Sequence, residues 1–184
     1  MIRSSLALIC LVSACGRTQS SPIAVVLDSL VPGTRIGARA NPVAQKFSLA
    51  VEPFFGYSDT NYRAASGIRG LFLQVDEHLS SADRPSDSAR IARVMLDFDS
   101  RQAATSTLEV LTRKLGPPER FCYKPADKSL HVALYFWPDR QADGLLLMIP
   151  LQSSRLPAIL TFGSVRPELH PDFKSARRGG CDAA

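Results

Sequence analysis

Two segments of the chain alternate apolar and polar residues, as strands do when they bury one face. In IARVMLDFD, residues 91–99, Val94, Leu96 and Phe98 alternate with charged positions. GLFLQVD, residues 70–76, places Leu71, Leu73 and Val75 on one face in the same way. Because successive strand side chains point to opposite faces, each segment predicts a strand with one buried and one solvated face.

Three further segments are apolar with little alternation. LHVALYFW (130–137) and GLLLMI (144–149) are apolar at odd and even positions alike, which is typical of central strands covered on both faces. The linker PDRQADG between them predicts a hairpin, and AILTFG (158–163) predicts a last strand. The polar segment EHLSSADRPSDSAR (77–90) separates the first two strands and is where we expect mobility.

Helical spacing is clearest in SRQAATSTLEVLTRKLGPP, residues 100–118. One face carries apolar residues at helical intervals, namely Ala104, Leu108, Leu111 and Leu115. Asp99 or Ser100 is placed to cap the start, and Gly116 with the two following prolines predicts the end. Upstream, residues 27–49 predict one or two short helices, because Pro32, Gly33, Gly37 and Pro42 interrupt any longer one.

The predicted fold class is α+β, with a mainly antiparallel sheet packed against one or two helices. Each half of the chain runs from a helix through a proline-aromatic segment, VEPFFGY or GPPERFCY, into two apolar strands. A divergent duplication explains this recurrence, and so do two ordinary stretches of one α+β domain.

The N-terminus combines one positive charge, Arg3, with a short apolar run from Leu6 to Val12. Such a run is far shorter than the ~20 residues that span a bilayer, so residues 1–14 are expected to be a signal peptide. Val12-Ser13-Ala14-Cys15 resembles the lipobox of bacterial lipoprotein precursors. The resemblance implies cleavage before Cys15 and acylation of that residue, with chains such as palmitate. Gly16, in place of aspartate, implies retention in the outer membrane, facing the periplasm.

Ordinary secretory cleavage after Ala14 is the alternative, and cysteine parity argues against it. It would leave Cys15, Cys122 and Cys181, an odd number, whereas lipidation uses Cys15 and leaves an even pair. In an oxidising compartment we expect Cys122 and Cys181 to form a disulfide. The bridge would close a loop of about 60 residues, which the chain-entropy model values at about 4 kcal/mol.

The expected organisation is a signal peptide (1–14), a lipidated cysteine with a short tether (15–22) and one α+β domain (23–184). LVPGTRI and LGPPERF resemble the helix entry and helix exit of the small accessory lipoproteins of the outer-membrane β-barrel assembly machinery. The resemblance covers about a third of the chain, and it implies a scaffold or adaptor role.

Charge and motifs exclude several functions. The net charge is +5, and the basic residues are scattered along the sequence, with a looser group at Lys174, Arg177 and Arg178. Nucleic-acid binders carry dense basic stripes with interleaved aromatics, so no nucleic-acid partner is expected, only weak attraction to anionic headgroups. His78, His131 and His170 stand far apart, and no catalytic motif, metal-ligand spacing or phosphate-binding loop occurs. We therefore expect no cofactor, no metal and no catalytic residues.

Two groups of residues are candidate sites. Asp97 and Asp99 share a strand face, but solvated surface and helix capping account for them better than acid–base chemistry. The aromatic segment FFGYSDTNY contains Phe54, Phe55, Tyr57 and Tyr62, which form either a binding surface or core packing under a tyrosine-lined turn.

The function expected is therefore that of a non-enzymatic lipoprotein anchored through Cys15. It would act in the envelope through contacts with a partner protein of unknown identity. One alternative is a glycan- or lipid-binding module in which Tyr57, Tyr62 or Trp137 converge on a concave site. Another is a cryptic envelope hydrolase, which would need a Ser, His or Asp cluster in one pocket.

Overall fold

The protein is described by a computed structural model that covers residues 20–63, 67–124, 131–139, 144–151, 156–167, 176–179 and 181. The helices of this part are α1 (Pro22–Leu30), α2 (Ala40–Lys46) and α3 (Arg101–Leu115). Its strands are β1 (Ala50–Glu52), β2 (Gly56–Asp59), β3 (Ile68–Val75), β4 (Ile91–Phe98), β5 (Glu119–Tyr123), β6 (Val132–Pro138), β7 (Gly144–Pro150), β8 (Ile159–Gly163) and β9 (Arg177–Arg178). The predicted signal peptide, the lipobox-like segment with Cys15, His170 and Lys174 lie outside the described residues.

One sheet contains all nine of these strands, in the order β1-β2-β3-β4-β8-β7-β6-β5-β9. Every neighbouring pair is antiparallel. The α+β class with an antiparallel sheet is therefore confirmed, and so are the five strands predicted from the apolar pattern. The N-terminal half-sheet (β1–β4) and the C-terminal half-sheet (β5–β8) meet where β4 pairs with β8. At this junction Gly163 has φ 120°, and a Cβ there would lie 2.5 Å from the Ala92 carbonyl oxygen, so only glycine fits.

Helix α3 confirms the sequence prediction closely. Ser100, rather than Asp99, is the cap: its Oγ accepts a hydrogen bond from the Ala103 N–H at 3.1 Å. At the other end Gly116 has φ 87°, a value that favours glycine. The buried face carries Ala104 and Leu111, and Leu108 and Leu115 pack partly buried against the same core.

Helices α1 and α2 confirm two short helices upstream, with two differences. Helix α1 begins at Pro22, the last residue of the predicted tether, and Ser21 caps it by accepting from the Ala24 N–H at 3.1 Å. Both helices are short, as predicted, although α2 includes Pro42. Pro42 lies in the first turn of α2, where its missing N–H has no helical partner to lose.

The helices cover one face of the sheet, which we call the helix face. Its core takes the inward residues of every long strand, including Leu73, Leu96, Leu147 and Leu160. Helix α2 contacts β3, and α3 contacts β4 and β7 across the junction. The main core therefore joins both half-sheets under one layer of helices.

The opposite face, which we call the outer face, differs between the two half-sheets. On the C-terminal half, Leu134, Phe136 and Leu146 are buried in a second, smaller core together with Val165, which follows β8. On the N-terminal half, the outer residues of β3 and β4 are only partly buried; they are Phe72, Gln74, Arg93, Met95 and Asp97. Met95 interrupts the polar face that the alternation of β4 predicted.

Cys122 and Cys181 are bonded at the edge of the C-terminal half-sheet, as the cysteine count predicted, with Cα atoms 4.9 Å apart. Cys122 lies in β5, and Cys181 follows β9, which pairs with β5. The bridge thus attaches the C-terminal segment to the sheet edge.

Candidate interaction site at the β1–β2 hairpin

The turn between β1 and β2 exposes an aromatic side chain in a strained conformation. The Phe55 N–H donates to the Glu52 carbonyl at 3.2 Å across Pro53 and Phe54, and Phe54 has φ 63°. A positive φ at the third position of such a turn, after proline, is normally taken by glycine or asparagine. The Phe54 ring is also 67% exposed. Phe54 therefore carries backbone strain without gaining the stabilisation of burial.

The other three aromatic residues of this segment lie in different environments. Phe55 packs edge-on against Phe72, with ring centroids 6.4 Å apart. Tyr57 is 7% exposed, and its hydroxyl donates to Asn41 Oδ1. The Tyr62 hydroxyl donates to the Leu30 carbonyl at 2.6 Å. The prediction that Phe54 packs in the core is therefore wrong. The prediction that the tyrosines line the turn is wrong as well, since both tyrosines are packed. The four rings do not form one binding surface.

A cleft of about 460 Å³ lies beside the hairpin on the helix face. Helix α2 and the residues after it form one wall, and β1, β2 and the loop before β4 supply the rest. Its lining residues are Asn41, Ala44, Gln45, Ser48, Leu49, Val51, Tyr57, Arg84, Pro85 and Asp87. The lining mixes apolar and hydrogen-bonding groups, which is typical of sites that fix the orientation of a bound group.

A chain of hydrogen bonds holds the cleft together. The Tyr57 hydroxyl donates to Asn41, and Asn41 Nδ2 donates to Asp87 Oδ1 at 2.7 Å. Burial raises the pKa of Tyr57, and the negative charges of Asp87 and Glu77 add to that rise, so the hydroxyl stays protonated and donating. The loop 77–90 is thereby attached to α2 by a side-chain pair 46 residues apart in sequence.

Hydrogen bonds within the loop 77–90 also stabilise it. Ser86 donates to Glu77 through both its N–H (2.9 Å) and its hydroxyl. The Ser80 N–H donates to Asp83 at 2.7 Å, and hydrogen bonding from Ser80 lowers the pKa of that carboxyl. These bonds give the segment predicted to be mobile a defined course past the cleft; its mobility stays a prediction.

Backbone strain brackets the strand that borders the cleft. Within the described residues, Ser48 (φ 55°) and Phe54 (φ 63°) are the non-glycine residues with positive φ, and they flank β1. Val51 in β1 is 39% exposed, and Arg84 across the cleft is exposed and forms no hydrogen bond or ion pair with the described residues. Strain of this kind clusters at binding sites. Sequence reasoning missed Ser48 and Arg84, because a serine after a helix and an arginine in a polar loop carry no distinctive pattern.

The other sequence candidates that the structure describes do not assemble into a site. Trp137 is 3% exposed, and its Nε1–H donates to the Gly116 carbonyl at 2.8 Å, so it supports the end of α3. His131 directly precedes β6 and is half-buried, and His78 is exposed. Burial raises the pKa of Asp97, with the charge of Arg69 opposing that rise, while Asp99 is exposed beyond β4. Among the described residues, no group of three or more His, Cys, Asp or Glu side chains is placed to hold a metal ion.

Comparison of the chain with protein-family models, with curated proteins and with solved structures found no match in any of the three. In the described part of the chain, none of the helices is long and apolar enough to cross a membrane.

Proposed function

We propose that this chain is a non-enzymatic lipoprotein of the cell envelope, anchored by acylated Cys15 in the outer membrane, whose domain binds a partner protein. The binding surface consists of Phe54, Val51 and the adjoining cleft. The partner segment presents an apolar side chain to the cleft and an acidic group to Arg84. The lipobox and the proteins it resembles motivate the anchor, and the hairpin motivates the partner.

The exposed ring of Phe54 carries the proposal. A bulky residue at positive φ destabilises a turn. Because Phe54 is 67% exposed, hydrophobic burial does not offset that strain in the unbound protein. Binding of a partner would bury the Phe54 ring and so provide this stabilisation, because aromatic residues buried at the centre of an interface contribute most of the affinity. Val51 extends the apolar surface toward the cleft.

Two features are consistent with the anchor. The Cys122–Cys181 bridge is of a kind that persists in oxidising compartments. Helix α1 begins seven residues after Cys15, so the tether spans at most about 23 Å when extended. The tether would therefore keep the domain close to the membrane surface.

The matched residues Val51 and Val110 allow a direct test. Both are valines of nearly equal exposure, 39% and 41%, but Val110 lies on α3, away from the cleft. A photo-crosslinking amino acid at position 51 is expected to give one discrete adduct in intact cells, and the same group at 110 none. Phe54→Ala should abolish the adduct at 51. Equal labelling at both positions, or an adduct that survives Phe54→Ala, would refute the proposed surface.

The anchor is tested separately by the intact mass of the membrane-extracted protein. We expect a mass that starts at Cys15, carries acyl groups and shows no thiol alkylation without reduction. A mature protein without lipid would refute the anchor while leaving the binding surface open.

A glycan- or lipid-binding module is a second candidate, and the cleft favours it. Its volume of about 460 Å³ lies within the usual range for small-molecule sites, and the Tyr57 side chain lines it. Trp137 and Tyr62 belong to the core and do not contribute. Titration of isotope-labelled protein with soluble peptidoglycan fragments should shift the amide signals of Gln45 and Ser48 if this candidate is correct. Unchanged signals would eliminate it for these fragments.

A further inference from the structure

Among the described residues, six exposed cationic side chains lie on or directly after β5, on β9, or in the last turn of α3, which leads into β5, and we call them the basic edge. They are Arg113, Lys114, Arg120, Lys124, Arg177 and Arg178. Glu119 is the one acidic residue in the segments 113–124 and 176–179, so these segments carry a net charge of +5. This equals the net charge of the whole chain, and the remaining sequence holds 16 basic and 16 acidic residues. The excess charge that looked scattered along the sequence therefore belongs to one region.

Strand pairing brings the two basic segments together. Arg177 lies opposite Cys122, and Arg178 lies opposite Phe121. The Gly179 N–H donates to the Arg120 carbonyl at 2.9 Å, which extends the pairing by one residue. The last turn of α3, with Arg113 and Lys114, leads through Gly116 directly into β5.

The disulfide holds this arrangement in place. Strand β9 has two residues, too few for stable pairing by backbone hydrogen bonds alone. Cys181 follows it by three residues and is bonded to Cys122, the fourth of the five residues of β5. Arg178 also lies 3.5 Å from Glu119 and over the Phe121 ring, 5.9 Å from its centroid. The bridge thus fixes two arginines beside Arg120.

We infer that the basic edge binds the anionic headgroups of the membrane to which the chain is anchored. This inference rests on the proposed anchor. The six side chains are distributed over β5, the residue after it, β9 and the last turn of α3, and of the six only Arg120 lines the small cleft beside Cys181. They therefore suit a charged surface better than a single small anion. A tether of about 23 Å keeps that surface within reach of the domain, which raises its effective concentration. Contact at this edge would orient the domain and leave the β1–β2 hairpin, at the opposite edge of the sheet, facing away from the bilayer.

Vesicle binding by the unacylated full chain, Cys15→Ser, tests the inference without the contribution of lipid. The probes are vesicles of phosphatidylcholine alone and of phosphatidylcholine with phosphatidylglycerol. We expect binding only to the anionic vesicles, and we expect it to weaken as salt is added. Each cation near a membrane surface contributes roughly fivefold in affinity, so Arg120→Gln, Lys124→Gln and Arg177→Gln together should weaken binding about 100-fold.

A control triple variant separates the basic edge from net charge. Arg35→Gln, Arg39→Gln and Arg69→Gln remove the same charge from exposed positions elsewhere. This control should weaken binding much less than the edge variant does. No binding to anionic vesicles, or equal weakening by both variants, would overturn the inference. Equal weakening would instead indicate that the cations at this edge prevent the strands of different molecules from pairing.

The result is distinguishable from failure of the proposed function. If the native protein carries acyl groups but the unacylated chain ignores anionic vesicles, the anchor stands and the basic edge has no membrane role. If the native protein is not acylated, the anchor fails whatever the vesicles show.

Discussion

The two half-sheets are alike in strand number and pairing, yet they differ on their outer faces and at their free edges. The strand order is symmetrical about the β4–β8 contact, and helices cover the helix face of both halves. The C-terminal half has a second core and an edge closed by β9 and the disulfide. The N-terminal half has a partly exposed outer face and an edge that ends in the strained hairpin. An origin by duplication and two ordinary stretches of one domain stay the two alternative explanations of this likeness.

One row of residues across the sheet shows where the difference arises. Strand register places Phe72, Met95, Thr161, Leu146 and Phe136 side by side on the outer face. The first three are half-buried, whereas the last two are 3% and 1% exposed. All belong to one continuous sheet, so strand propensity does not separate them. Val165 and Ala176, from the chain after β8, pack only against the C-terminal half.

The comparison is tested most strongly by removing one ring from each half. Phe136→Ala should destabilise the protein by about 3–5 kcal/mol, because it opens a cavity in the second core. Phe72→Ala, in the same row, should cost roughly 1–2 kcal/mol, because its ring is only partly buried. Urea unfolding measures both values. Equal losses would show that the outer face is covered equally in the two halves.

The disulfide is the next largest difference between the two edges. Replacing Cys122 and Cys181 with serine should lower stability by about 2–4 kcal/mol, since the bridge closes a loop of about 60 residues. Hydrogen exchange should show faster exchange at β5 and β9. The amides of β1 and β2 serve as the internal control and should keep their relative protection. If the amides of β1 and β2 lost protection as well, the disulfide would be stabilising both edges of the sheet rather than its own edge alone.

Two partly buried hydrogen bonds provide a matched pair across the halves. Trp137→Phe removes the donor to the Gly116 carbonyl at the end of α3, and Tyr62→Phe removes the donor to the Leu30 carbonyl at the end of α1. Each should cost about 1–1.5 kcal/mol. Thermal unfolding of both variants checks this, and a Trp137→Phe variant as stable as the native protein would show that α3 needs no such support.

The strained hairpin should respond in the opposite direction. Phe54→Asn is expected to raise stability by about 0.5 kcal/mol, because asparagine tolerates positive φ and little ring burial is lost. Phe55→Asn is the control and should lower stability, since that ring packs against Phe72. If Phe54→Asn destabilised the protein as much as Phe55→Asn, the Phe54 ring would stabilise the fold, and its exposure would not indicate a binding role.

Asp97 gives the smallest expected effect. Its folded-state pKa is raised, above all by burial, so the native state binds its proton more tightly than the unfolded chain does. Its unfavourable contribution is therefore absent below the ordinary value of 3.8 and appears as pH rises through the folded pKa. Asp97→Asn should be slightly more stable than the native protein at neutral pH and should lose that advantage in acid. An advantage that grows toward acid pH would contradict the assignment.

Much of the fold followed from local patterns, and the site did not. The period of 3.6 and the cap residues identified α3, and alternation identified β3 and β4, because these signals lie within one element. The burial of each ring in the aromatic segment could not be predicted, because the presence of four aromatic residues does not indicate which of them packs against the core. Tyr57 and Tyr62 found hydrogen-bond acceptors on α2 and at the end of α1, 16 and 32 residues away, while Phe54 was left at the turn.

The sequence by itself determined α3, the presence of two short helices before it, five of the nine strands and the cysteine pair, since each depends on residues read locally or counted. The lipid anchor expected from the N-terminus stays a prediction. Only the tertiary structure decided which half of the outer face is covered. It alone placed Asn41, Tyr57 and Asp87 in one polar chain and brought the cations of residues 113–124 and 176–179 to one edge. These features depend on long-range strand pairing and packing, whose partners lie tens of residues apart and leave no periodic trace in the chain.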